Sequence, residues 1–181
     1  MMAEALPSLP SVPGPRGTGP TYSIAFVCLG NICRSPTAEA VMTRKLAEAG
    51  LDRDVVVSSS GTGTWHLGEA MDRRAATTLA AHGYDPTRHR AALFEGDGFA
   101  EHDLVLAMDR QNFHDIVAMA SDDEDRRRVQ MFRAFDPLAG DELDVPDPFY
   151  GAQGGFDEVL AIVERTCDAL VDALASIRRP S

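Results

Sequence analysis

Apolar positions along this chain come in short β-prone runs separated by stretches with helical spacing. Residues 24–27, 54–59, 103–108 and 129–132 are the runs, and Leu104-Val105-Leu106-Ala107 is continuously apolar, as in a strand buried on both faces. Residues 37 to about 50 read as a helix closed by Gly50, and residues 69–82 as a second closed by His82-Gly83. Asp109 is a natural N-cap for a third, reaching about Ala120. The last spans about 156–177, with Phe156, Val159, Leu160, Val163, Cys167, Leu170, Val171 and Leu174 at helical spacing. Strands alternating with helices predict an α/β fold: one doubly wound domain, a four-stranded parallel sheet flanked by helices, in flavodoxin-like strand order.

Three stretches break the alternation. Residues 1–20 are rich in Pro, Gly and Ser without periodicity and read as a disordered tail, leaving 21–181 as the folded domain. The charged residues 122–128 read as a solvated turn. Residues 136–155 form a long irregular stretch, and such stretches in compact domains are usually functional.

Composition narrows the classes of function. A formal charge of −11 argues against a nucleic-acid binder or a polybasic membrane-surface protein. No apolar run approaches the ~20 residues of a membrane helix, and no secretory signal is expected. Three cysteines are too few for a disulfide framework, which suits the reducing cytoplasm. Without a CxxC pair, or histidines at i, i+4 spacing, neither metal nor cofactor is expected.

The chemistry concentrates between the first strand and first helix, in Cys28-Leu29-Gly30-Asn31-Ile32-Cys33-Arg34-Ser35-Pro36. A helix N-terminus presents unpaired N–H groups and the positive end of the peptide dipoles, a natural anion site. A thiol on its floor is favoured as thiolate by the same field. Gly30 lets N–H groups turn inward, Arg34 can grip two phosphate oxygens through its planar fork, and Ser35-Pro36 fits an N-cap and first helical position. Taken together these residues predict a nucleophilic cysteine facing bound phosphate; taken singly, each could belong to an ordinary glycine turn.

The string CLGNICRSP resembles the signature of the low-molecular-weight protein tyrosine phosphatases, and the likeness extends over most of residues 23–177. It implies a phosphatase domain that hydrolyses phosphotyrosine in proteins, and small aryl phosphates, through a phosphocysteine, without cofactor. Cys28 would be the nucleophile, Arg34 the phosphate clamp and Ser35 a hydrogen-bond donor to the thiolate. Leu29, Gly30, Asn31, Ile32, Cys33 and Arg34 would bind phosphate, the product and a ligand in its own right. Asp147, in Val145-Pro146-Asp147-Pro148-Phe149-Tyr150, would be the acid that protonates the leaving phenolate and then the base that activates water. Asp136-Pro137 is a rival pair, but only Asp147 has aromatics on its C-terminal side. Trp65, His66, Phe149 and Tyr150 would form the substrate pocket, with Phe149 standing where the family often has Tyr. Asn31, Ser59 and His89 match positions that brace the loop. Cys33 either packs behind the loop or traps oxidised Cys28, while Cys167 reads as core. The protein is expected to act as a monomer or weak dimer.

Three rival readings attach to this scaffold. An arsenate reductase would need further cysteines on a mobile segment, and Cys167 belongs to the terminal helix. Arginine phosphatases resemble the family with Thr where this chain has Ile32. A non-catalytic phosphopeptide-binding module would lack the nucleophile or the acid, and both are present here.

Overall fold

The computed structural model describes residues 8–177. Four strands, β1 (Tyr22–Cys28), β2 (Val55–Gly61), β3 (Leu104–Ala107) and β4 (Val129–Met131), form one parallel sheet in the order β2-β1-β3-β4. The main helices are α1 (Arg34–Glu48), α2 (Arg73–Ala81), α4 (Arg110–Met119) and α6 (Gly154–Ala175). Two short ones, α3 (Gly98–Glu101) and α5 (Asp123–Arg127), and a 3₁₀ turn, Phe132–Phe135, complete the set.

The alternation of the strands divides the core in two. Ile24 and Phe26 of β1 and Leu104 and Leu106 of β3 face α1 and α6, packing on Val41, Met42, Leu160, Val163 and Leu170. Ala25, Val27, Val105 and Ala107 face the other way, onto Phe94, Phe99 and Ile116. Each large side chain so buried contributes ~1.5–3 kcal/mol of transfer free energy, which pins the register of both central strands. The chain leaves β1 toward β2 on one side and returns to β3 on the other. The strand order therefore reverses beside the carboxyl end of β1, where Cys28 lies.

The fold class and flavodoxin-like order agree with the sequence reading, while four details differ. Helix α1 begins at Arg34, with Cys33 at the cap position and no side-chain cap bond, so Ser35 and Pro36 are its second and third residues. Pro36 is tolerated there because first-turn N–H groups lack intrahelical partners. Helix α2 starts at Arg73 behind the cap Asp72, later than residue 69. The supposed solvated turn contains α5, capped by Asp122 and holding a buried Asp125.

The fourth difference is at the N-terminus. Residues 8–20 have no helix or strand, yet they are strapped across the amino ends of the strands. Ser11 O accepts from Gln130, Pro13 O from the Tyr22 hydroxyl at 2.8 Å and Gly14 O from Arg128 at 2.8 Å. Arg16 N donates to Asp103, and its guanidinium pairs with Asp125. Backbone groups do most of this bonding, and composition does not reveal them. For residues 8–20 the reading as a disordered tail outside the fold is corrected; residues 1–7 lie outside the described residues.

Candidate active site

Residues 28–33 turn around a small ring because their carbonyls are drawn outward. Thr62 N donates to Cys28 O at 3.0 Å, Gly63 N to Leu29 O at 2.9 Å and Asp72 N to Ile32 O at 2.8 Å. His89 Nε2 donates to Asn31 O at 2.6 Å. In a trans peptide the next residue's N–H points opposite its carbonyl, so the N–H groups of Leu29, Gly30, Ile32 and Cys33 face inward. Asn31 N donates to Cys28 Sγ at 3.3 Å. The result is a ring of amides at the start of α1 with a sulfur in its floor, a form that favours an anion.

Asn31 holds the ring in shape. Its φ is +55°, in the left-handed region, and its side chain is fully buried. Nδ2 donates to Ser35 Oγ at 2.8 Å and Ser59 Oγ at 3.0 Å, while Oδ1 accepts from Ala92 N at 2.9 Å. Ser35 Oγ lies 3.0 Å from Cys28 Sγ. Because Asn31 donates to that oxygen, the serine keeps its own proton for the sulfur or for Ser60 O at 3.3 Å. Ser59 donates to Glu39, which also stands 3.8 Å from His89 Nδ1. The three bracing residues expected from sequence thus form one network, and Glu39, not anticipated, closes it.

Arg34 is buried beside Cys28 with its guanidinium fixed on one side. Nη1 donates to Asp109 at 2.7 Å and to Val145 O at 3.1 Å, and Nη2 reaches Asp147 at 3.5 Å. Burial works against its charge, but Cys28, Asp109 and Asp147 outweigh that and push its pKa up. Asp109 also caps α4 through Asn112 N at 2.7 Å. The sequence reading found only the cap. The available signal was position: Asp109 follows β3 at the same end of the sheet as Cys28.

A cavity of about 360 Å³ opens above the ring, lined by Cys28, Leu29, Gly30, Ile32, Cys33, Arg34, Trp65, His66, Asp147, Phe149 and Tyr150. Trp65, His66, Phe149 and Tyr150, expected at the substrate pocket, all line it, whereas Asn31 and Ser35 do not. Trp65 and Tyr150 stand at the mouth, 69% and 91% exposed. The Trp65 ring lies against Gly63, where any Cβ would come within 1.9 Å of it. His66 is 2.8 Å from Glu69, and its ring centroid is 6.2 Å from that of Phe149.

The four aspartates of the late loop separate by environment. Asp136 is buried under Arg165 at 2.6 and 2.8 Å and Arg133 at 3.3 Å, far from the role of a proton donor to substrate. Asp144 caps Arg110 N at 2.9 Å, and the Asp141 carbonyl meets Arg110 at 3.4 Å. Asp147 alone lines the cavity, its second oxygen accepting from Phe149 N at 3.1 Å. The cysteines separate likewise. Burial first, then Asp72 and Cys28, push the Cys33 thiol well above its ordinary value, and burial does the same to Cys167 in the core.

The family model for low molecular weight phosphotyrosine protein phosphatase matches residues 23–179. A low molecular weight protein-tyrosine-phosphatase of Streptomyces coelicolor is 44% identical over 155 residues, covering 85% of this chain and 94% of its own. Phosphatase A of Mycobacterium tuberculosis, a low molecular weight protein-tyrosine phosphatase, is 45% identical over 82% of this chain and 89% of its own. Among solved structures, a protein tyrosine phosphatase from Entamoeba histolytica with Hepes in its active site superposes with a TM-score of 0.82 at 30% identity. It covers 86% of this chain and 98% of its own. The chain belongs to the low molecular weight phosphotyrosine protein phosphatase family and is a hydrolase of that class.

Proposed function

We propose that the protein hydrolyses phosphotyrosine in proteins by passing the phosphoryl group through Cys28. The observation that carries this reading is the ring of inward amides around Cys28 Sγ, closed by Arg34 and capped by Asp147 in one cavity. The phosphate oxygens sit on the N–H groups of residues 29–34, while Nε and the free face of Nη2 of Arg34 take two of them. Asp109 and Val145 O hold the other side of that guanidinium, so the clamp is oriented before substrate arrives.

The thiolate attacks phosphorus in line and the bond to the aryl oxygen breaks. Asp147 gives its proton to that oxygen, then takes one from the water that attacks the phosphocysteine. Phosphate leaves and the Cys28 thiolate returns, stabilised by Ser35 and the ring amides. Leu29, Gly30, Asn31, Ile32 and Cys33 serve as ring members, with Ser59 and His89 bracing Asn31. Trp65, His66, Phe149 and Tyr150 flank the aryl group, and the exposure of Trp65 and Tyr150 suits a tyrosine carried on another protein. Inorganic phosphate occupies the same ring as product. The three unpaired cysteines fit a reducing, cytoplasmic setting. No helix among the described residues is long and apolar enough to cross a membrane.

The test is turnover of p-nitrophenyl phosphate and a phosphotyrosine peptide, with a chelator present. Cys28→Ser is expected to show none, and Asp147→Ala to lose ~10²-fold or more on the peptide, the usual worth of a general acid. Normal turnover by Cys28→Ser would overturn the reading. An arsenate reductase would instead show thiol-dependent arsenate reduction.

A further inference from the structure

The loop carrying Asp147 has no helix or strand between residues 136 and 153, yet a proton donor must be held to within a fraction of an ångström. Its N-terminal side is secured by Val145, whose N–H meets Met108 O at 2.8 Å. Its C-terminal side is held next to the acid by one guanidinium, and further along by Gln153 Nε2, which donates to Thr78 Oγ1 at 2.9 Å. Arg74 Nη2 donates to Phe149 O at 2.9 Å and Nη1 to Gly151 O at 3.5 Å, bracketing the turn that follows Asp147. The same group lies over the Phe149 ring at 5.6 Å and over the buried Phe156 ring of α6 at 4.7 Å.

Arg74 is itself held. Its Nε and Nη2 donate to the two oxygens of Asp72 at 3.1 and 2.9 Å, and its N–H takes the Asp72 cap bond at 2.8 Å. Asp72 N in turn holds Ile32 O of the phosphate ring. One chain of contacts therefore runs from the ring through Asp72 and Arg74 to the turn behind the acid. Lysine could not copy it, because a single ammonium cannot bond two carbonyls, pair side-on with a carboxylate and lie flat on two rings. We propose that Arg74 is a positioning residue for Asp147, setting the register of the acid loop against the phosphate ring. The proposal rests on the reading of Asp147 as the acid.

A misplaced acid leaves a signature that a loosened fold does not. Loss of protonation slows expulsion of a basic phenolate far more than that of p-nitrophenolate, so the rate falls more steeply with leaving-group pKa. Arg74→Met and Arg74→Lys, checked for folding by circular dichroism, are compared with Asp147→Ala and the double variant on phenyl phosphate and p-nitrophenyl phosphate. Arg74→Met is expected to lose roughly tenfold in single-turnover rate on phenyl phosphate, part of the ~10²–10⁴-fold a general acid supplies, and much less on p-nitrophenyl phosphate. Arg74→Lys should fall between wild type and Arg74→Met. In the Asp147→Ala background, Arg74→Met should cost almost nothing further, since both act at one step.

Equal losses on both substrates, or losses that multiply in the double variant, would overturn the role of Arg74 while a steep dependence in Asp147→Ala left the acid in place. A flat dependence in Asp147→Ala would overturn the assignment of the acid, and that of Arg74 with it.

Discussion

Asn31 shows how much one side chain decides in this site. Among the described residues it is the one non-glycine with positive φ, and its buried amide satisfies Ser35, Ser59 and Ala92 at once. Glycine would supply the backbone conformation without the bonds; alanine would supply neither. Asn31→Ala removes the three bonds of a fully buried amide and keeps a strained φ, so it is expected to lower stability by about 2 kcal/mol, measured by urea unfolding. Its activity should fall further than Asn31→Gly can restore, because both lose the hold on Ser35. The bracing role of Asn31, Ser59 and His89 was legible because family resemblance supplied it. The partners Asp109 and Glu39 were not, since folding alone brings Asp109 to Arg34 and Glu39 to Ser59 and His89.

At the scale of elements, the loop from residue 136 to 153 sorts its carboxylates by what packs on them. Asp136-Pro137 and Asp147-Pro148 look alike as sequence, and aromatics after the second were the one local clue. Folding separates them: Asp136 fastens the loop to α6 through Arg165, whereas Asp147 lies in the cavity. Burial works against the charge of Asp136, but bonds from Arg165, Leu138 N and Arg133 outweigh it and hold its pKa below the ordinary carboxylate value. A native pKa below the unfolded one means stability present above the ordinary range and lost as pH falls through the native value. Asp136→Asn should therefore cost about 3 kcal/mol near neutrality, the lower end for breaking a buried pair, because Arg165 is partly exposed. That difference from wild type should shrink in acid, as urea unfolding at both pH values would record. Helix α5 went unread for a related reason: Asp123-Glu124-Asp125-Arg126-Arg127 has no apolar period. Its signal was electrostatic, with acids in the first turn and arginines in the last.

Across the whole molecule, the two ends of the parallel sheet carry different work. The carboxyl ends of β1 and β3 hold the ring, Asp109 and the cavity, while the amino ends are closed by the strap of residues 8–20. A parallel sheet covered on both faces could be read from strands alternating with helices; the strap could not, because Pro- and Gly-rich sequence gives no period. Arg16→Ala removes the pairing with Asp125 and the bond to His102 O at the closed end. It should lower Tm by about 2–4 °C for each kcal/mol lost and leave kcat/KM unchanged. Changed turnover with an unchanged Tm would show that the two ends are not separate. The passage of phosphate through Cys28 is tested most directly by rapid acid quench of Asp147→Ala reacting with p-nitrophenyl phosphate, whose good leaving group lets the first step outrun the second. Mass analysis of the quenched protein should find one phosphoryl group on the peptide containing Cys28, formed within the burst of p-nitrophenol. A burst with that peptide unmodified, or a phosphoryl group on another residue, would contradict it.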